Sequence, residues 1–130
     1  MIYGIGTDIC DIRRIRASLE RHGERFAHKV LHEAELAIWH ARAAQWPERG
    51  VRYLATRFSA KEAFSKALGT GVRPPATLSA IAVLHDHLGK PMLGFSPALH
   101  ALLDEKNLKA HLSISDEAEY AVAYVILEQA

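Results

Sequence analysis

The stretch from about Val51 to Leu68 reads as one long helix closed by Gly69 and Gly71, and the rest of the chain has to be arranged around it. At about 100° per residue counted from Arg57, Ala60, Ala63, Phe64 and Ala67 share one arc, while Arg57, Lys61, Ser65, Glu62 and Lys66 fill the opposite one. Arg57 and Lys61, like Glu62 and Lys66, are i,i+4 neighbours. Small apolar residues facing charges predict a helix laid on a core with a wet outer face, and periodicity alone favours a merely solvated, salt-bridged face. The alternative is that one carboxylate among three cations handles phosphate. Gly69-Thr70-Gly71 reads as a helix cap rather than a Walker loop, because no Gly-x4-Gly-Lys precedes a helix. A helix C-terminus repels anions, so phosphate binding here would rest on Lys and Arg side chains and loop amides.

Elsewhere the pattern alternates between periods. Residues 2–9 read as a strand, with Tyr3, Ile5, Thr7 and Ile9 on one face and Ile2, Gly4, Gly6 and Asp8 on the other. Two glycines beside Asp8 suggest room for a ligand to approach the backbone. Asp11 suits the N-cap of a helix carrying Ile12, Ile15 and Leu19, which Gly23 ends. A second helical pattern runs from about Lys29 to Arg42 and is broken at Trp46-Pro47. Val72–Thr77, with Pro74-Pro75, reads as a loop. Leu78–Leu84 and Met92–Phe95 read as strands around His87-Leu88-Gly89-Lys90-Pro91, and Ser96-Pro97 starts a short helix. His111–Ser115 and Tyr120–Leu127 complete an antiparallel hairpin. Helices first and antiparallel strands later predict a single α+β domain.

Composition narrows the function classes. A chain of 130 residues with 49% hydrophobic content builds one modest core, so a deep pocket is expected at a subunit interface. A formal charge of +1 supplies no global field toward nucleic acid or membrane. The single Cys10 excludes an internal disulfide and a thiolate metal cluster, fits a reducing compartment, and reads as a small core residue. His28 and His32 are i,i+4, and His85-x-His87 sits by a turn, but neither pair has an evident third ligand for zinc. The N-terminal residues lack the features of a signal peptide, and no apolar run approaches ~18 residues. A cytoplasmic protein is the expectation.

Taken in order, Gly4-Ile5-Gly6-Thr7-Asp8-Ile9 with Arg14-Ile15, Arg57-Phe58-Ser59-Ala60-Lys61-Glu62-Ala63, and Lys66-Ala67-Leu68-Gly69-Thr70-Gly71 form a specific set. Gly89-Lys90-Pro91 and Ser113-Ile114-Ser115-Asp116-Glu117 extend it toward the C-terminus. The chain resembles, along essentially its whole length, the holo-[acyl-carrier-protein] synthase family, the short bacterial type of 4′-phosphopantetheinyl transferase. The resemblance implies transfer of the phosphopantetheine arm of coenzyme A to a serine of apo acyl carrier protein in support of fatty acid biosynthesis. It implies Mg²⁺ on Asp8 and Glu62, with Glu62 also a candidate proton acceptor and Lys66 offsetting charge on the leaving phosphate. Arg57 and Lys61 are expected to hold coenzyme A phosphates, and Gly69, Thr70, Gly71, Lys90 and Pro91 to line the nucleotide channel. Acyl carrier proteins are acidic, so Arg14, Arg21 and Arg25 become candidate docking charges and Leu19 and Phe26 apolar contacts. Short members of the family resemble homotrimers with interfacial active sites.

Many relatives carry a histidine after the Ser-x-Ser segment. Asp116 stands here, which excludes a catalytic histidine at that position. Two other classes remain as rivals. A non-catalytic module could grip an acidic protein or nucleic acid through its basic helix, but that leaves Asp8 and Glu62 idle. A coenzyme A-dependent acyltransferase would need a base and an oxyanion site but no Mg²⁺.

Overall fold

The computed structural model describes all 130 residues as an α+β unit. The chain runs β1 (Ile2–Asp11), α1 (Ile12–His22), α2 (Glu24–Val30), α3 (Glu33–Gln45), α4 (Pro47–Leu68), a 3-10 turn (Leu78–Ala80), β2 (Ile81–His85), β3 (Pro91–Phe95), α5 (Pro97–Glu105), β4 (Leu108–Asp116) and β5 (Tyr120–Gln129). Two antiparallel sheets form, one in the order β1-β5-β4 and one pairing β2 with β3. The first and last strands are therefore neighbours, with Thr7 opposite Tyr124 and Asp8 opposite Ala123.

Most expected elements are present, and the departures have local causes. The helix expected over residues 29–42 is two helices separated at Leu31-His32. His32 starts α3 as its N-cap, its ring accepting from the Ala34 amide at 2.9 Å while the Glu35 side chain accepts from the His32 amide at 2.9 Å. Pro47 does not precede α4 as a breaker; it occupies the first turn, where its missing N–H costs nothing, and α4 starts there. Asp11, Gly23 and Ser96 cap as the sequence predicts.

Helix α4 is the spine of the molecule. Its C-terminal half joins β5, β4, β2 and α5 in one core through Ala60, Ala63, Phe64 and Ala67. Its N-terminal half joins α1, α2 and α3 in a second core through Val51, Tyr53, Leu54 and Ala55. Packed from so many directions, it cannot keep the broad wet face its periodicity suggests. Between Tyr53 and Leu68 only Phe58, Glu62 and Lys66 escape full burial.

The glycines of β1 also differ from expectation. They face α4 rather than open space: a Cβ on Gly4 would lie 2.0 Å from the Ala67 carbonyl oxygen, and one on Gly6 would lie 2.0 Å from that of Ala63. The gap beside Asp8 is filled by the helix, which is how strand and helix come close enough to share a site.

Candidate active site

Close approach of β1 and α4 brings Asp8 and Glu62 together. The Ser59 hydroxyl donates to the Asp8 carbonyl at 3.0 Å, pinning the strand to the helix beside the carboxylate. Lys66 Nζ donates to the Thr7 carbonyl at 3.0 Å and to Asp8 Oδ1 at 3.3 Å. The other Asp8 oxygen, Oδ2, is buried without any hydrogen-bond partner. Glu62 is half-buried, and its pKa is held above the usual carboxylate range first by burial and then by the charge of Asp8, with Lys66 opposing both. Both carboxylates line a cavity of about 270 Å³ together with Cys10, Arg14, Phe26 and Phe58. An unsatisfied buried acceptor beside a second carboxylate suits a hard cation that takes one or two carboxylates and completes its shell with water and phosphate oxygens. Asp8 and Glu62 would hold it.

The expected phosphate grip by Arg57 and Lys61 is not met. Lys61 is 0% exposed, and its ammonium donates to the Val30 carbonyl at 2.7 Å and to Glu35 Oε1 at 2.5 Å. Burial pulls its pKa down to about 8 against the opposing pull of Glu35. Arg57 is 8% exposed, stacked 4.0 Å from the Tyr53 ring centroid and bonded to the Thr56 hydroxyl. Neither side chain lines the Asp8–Glu62 cavity. The reason is the central position of α4, whose cations at these two positions point into packed protein.

Gly69 and Gly71 act as the helix stop. Gly69 adopts φ 89° and Gly71 φ 71°. The Gly69 amide bonds Ser65 and Lys66 carbonyls at 3.0 and 3.1 Å, and the Gly71 amide reaches the Ser65 carbonyl at 3.3 Å. Those two amides are thus engaged with α4 rather than free for an anion, while Thr70 stands exposed between them. Lys90 and Pro91 line a different cavity, of about 600 Å³ between the β2–β3 hairpin, α5 and β4, which shares no residue with the acidic one. One chain alone does not bring the expected nucleotide channel and the carboxylates together.

Among the basic residues, internal pairing separates two groups. Arg13 is engaged with Asp11 and Glu119, and Arg16 with Glu48. Arg14, Arg21 and Arg25 are exposed and carry no such pair. Arg25 and Phe26 line a shallow cavity of about 370 Å³ with Ser18, His22 and Lys29. Ser18 and Phe26 also line the acidic cavity, so a basic groove runs directly into the carboxylates. Leu19 and Phe26 both pack partly against the core, and of the two only Phe26 lines the groove.

Asp116 has an internal partner. Arg52 donates to its Oδ2 at 3.0 Å, to the Glu117 carbonyl at 2.9 Å and to the Ala118 carbonyl at 2.6 Å, clasping the β4–β5 turn to α4. Burial first, then the charge of Asp8, raises the Cys10 thiol to about 11, so it is not a ready thiolate. Phe58 and Ser18 are site residues that sequence reasoning missed. Phe58, Glu62 and Lys66 repeat at i, i+4, i+8, and that stripe was a readable signal.

Residues 4–125 match the 4'-phosphopantetheinyl transferase superfamily. The chain is 64% identical over 130 residues to the holo-[acyl-carrier-protein] synthase of Dechloromonas aromatica (strain RCB), covering 100% of both. Its fold superposes with a TM-score of 0.91 on the crystal structure of holo-[acyl-carrier-protein] synthase from Neisseria meningitidis, at 42% identity over 99% of this chain and 100% of that one. It superposes with a TM-score of 0.80 on a holo-(acyl-carrier-protein) synthase from Bacillus anthracis in complex with CoA (3',5'-ADP), at 37% identity over 100% and 99% of the two chains.

Proposed function

This chain belongs to the 4'-phosphopantetheinyl transferase superfamily, and we propose on that footing that it is a holo-[acyl-carrier-protein] synthase. It moves the 4′-phosphopantetheine group of coenzyme A to a serine hydroxyl of apo acyl carrier protein, releasing adenosine 3′,5′-bisphosphate. The observation that carries the site assignment is the unpartnered Asp8 Oδ2, on a residue that shares with Glu62 a cavity at the end of a basic groove.

The residues divide the work as follows. Asp8 and Glu62 would hold a Mg²⁺ ion, which when bound would neutralise pyrophosphate charge and orient it. The serine oxygen attacks the phosphorus next to the pantetheine arm, and the bond from that phosphorus to the bridging oxygen breaks. Glu62 accepts the serine proton. Lys66, already beside Asp8 and half-exposed, offsets the charge left on the departing nucleotide phosphate. Gly69, Thr70 and Gly71 flank that end of the helix. Arg14, Arg21 and Arg25, with Phe26, meet the acidic carrier at the rim.

Assembly into a homotrimer, in the cytoplasm and in service of fatty acid biosynthesis, belongs to the same reading. The exposed face of the large sheet supports it: Ile5, Ile9, Val122 and Tyr124 all lie open there. So does the separation of the Lys90–Pro91 cavity from the acidic one, which a neighbouring copy could resolve. No helix is long and apolar enough to cross a membrane.

The test is to incubate the protein with coenzyme A, Mg²⁺ and an apo carrier protein and then weigh the carrier. A gain of about 340 Da with release of the bisphosphate is expected. An unchanged carrier mass would sink the reading, and an acyl-sized increment would transfer it to the acyltransferase rival.

A further inference from the structure

The buried Lys61–Glu35 pair lies outside the acidic cavity but ties together elements that line it. Lys61 immediately precedes Glu62 on α4, and its ammonium holds the carbonyl of Val30, the last residue of α2. Phe26, which lines the cavity together with Phe58 and Glu62, sits four residues before Val30 on that same helix. Glu35 is the hub: Oε1 accepts from Lys61 and from the His32 amide at the start of α3, and Oε2 accepts from the Val83 amide of β2 at 2.8 Å. Glu35 is 1% exposed, so this is a dry junction. One ion pair thereby fixes α2, α3, α4 and β2 to one another.

We propose that Glu35 and Lys61 are positioning residues for the transfer reaction, holding the Phe26 wall of the cavity in register with Glu62 rather than touching substrate. The claim rests on the transferase reading above for its kinetic consequence but not for its structural one. A hydrophobic replacement would fill the same space, yet it could not join a helix end, a helix middle and a strand amide at one point. An ion pair taken out of water gives little net stability, so its retention here is better explained by the geometry it imposes.

The experiment compares Lys61→Met, Glu35→Gln and the double variant. Either single change leaves a buried charge or donor without its partner and lowers the melting temperature. The double removes both charges, but the introduced amide has one acceptor oxygen for the two backbone N–H groups of His32 and Val83, so it melts below the parent and above Lys61→Met, which strands a buried carboxylate. In that folded double variant kcat falls about 10- to 100-fold with KM for coenzyme A within about twofold, as expected for displaced groups. Amide exchange over residues 24–31 speeds up while β1, β5 and β4 stay as protected as in the parent. Recovery of full kcat along with stability, or unchanged exchange in α2, overturns the proposal. Should the double variant not fold, Glu35→Asp decides, since it keeps the charge and shortens the reach: parental kcat and exchange there would refute positioning. If the parent transfers nothing, the function falls, and exchange in α2 alone judges the positioning.

Discussion

At the scale of single residues, the candidate site is a pair of carboxylates that resist being charged together. Glu62 is held above the ordinary carboxylate range by burial and by Asp8. In the folded chain it therefore binds its proton more tightly than when unfolded, and its contribution to stability is lost as pH rises through that raised value. A metal and a proton compete for the same oxygens. Apparent Mg²⁺ affinity, read as a thermal shift across a pH series, should weaken about tenfold per pH unit once pH drops below the Glu62 value. Lys66 lowers that value, so Lys66→Ala should move the weakening to higher pH. The same variant should cut kcat by about 10²-fold or more with a much smaller change in KM for coenzyme A. A loss confined to KM would remove Lys66 from leaving-group stabilisation. Asp8→Asn should abolish both the Mg²⁺-dependent shift and transfer while circular dichroism stays that of the parent. That Asp8, Glu62 and Lys66 belong together was legible because they sit in a specific motif order, and the structure brings them side by side. Lys61 and Arg57 carried the same motif signal, and burial by neighbouring elements, which no local spacing encodes, assigned them to the interior.

At the scale of elements, the contact of β1 with α4 is what makes the site. The glycine pair was legible as a place where something approaches the backbone, but not that the approaching body is the helix itself. Gly6→Ala places a methyl within 2.0 Å of the Ala63 carbonyl, a backbone atom that cannot swing aside. Overpacking of this kind costs about 1–3 kcal/mol, and urea denaturation should show at least that loss. Activity should fall further than stability does, because spreading the two elements parts Asp8 from Glu62. On the other flank, α1 sorts its arginines by partner. Arg14→Glu should raise KM for the carrier protein several-fold and flatten its salt dependence, leaving KM for coenzyme A in place. Equal losses for both substrates would contradict docking at this helix. The split between α2 and α3 escaped sequence reading because its cap is a histidine, an unusual residue for that role.

At the scale of the whole molecule, one chain leaves its own design unfinished. The three-stranded sheet buries one face on α4 through Ala123, Val125 and Leu127 at alternate positions. The alternation that buries one face exposes the other, and there Ile9 stands 68% exposed across from Val122. That alternation was legible in the sequence, whereas the side facing outward was not, because both faces of β1 contain apolar residues. The proposed homotrimer would cover the open face and would bring a neighbour's Lys90–Pro91 cavity to the carboxylates. Ile5→Lys leaves the interior of a single chain untouched, since that side chain is 55% exposed on the same face and, unlike Ile9, does not line the carboxylate cavity. Light scattering should then show the mass falling from three chains toward one of 14.4 kDa. Each chain would keep its far-ultraviolet circular dichroism, and affinity for coenzyme A would drop with assembly if two copies build the nucleotide site. An Ile5→Lys protein that stays trimeric would move the interface elsewhere. One that is monomeric yet binds coenzyme A as the parent does would show that each chain holds a complete site.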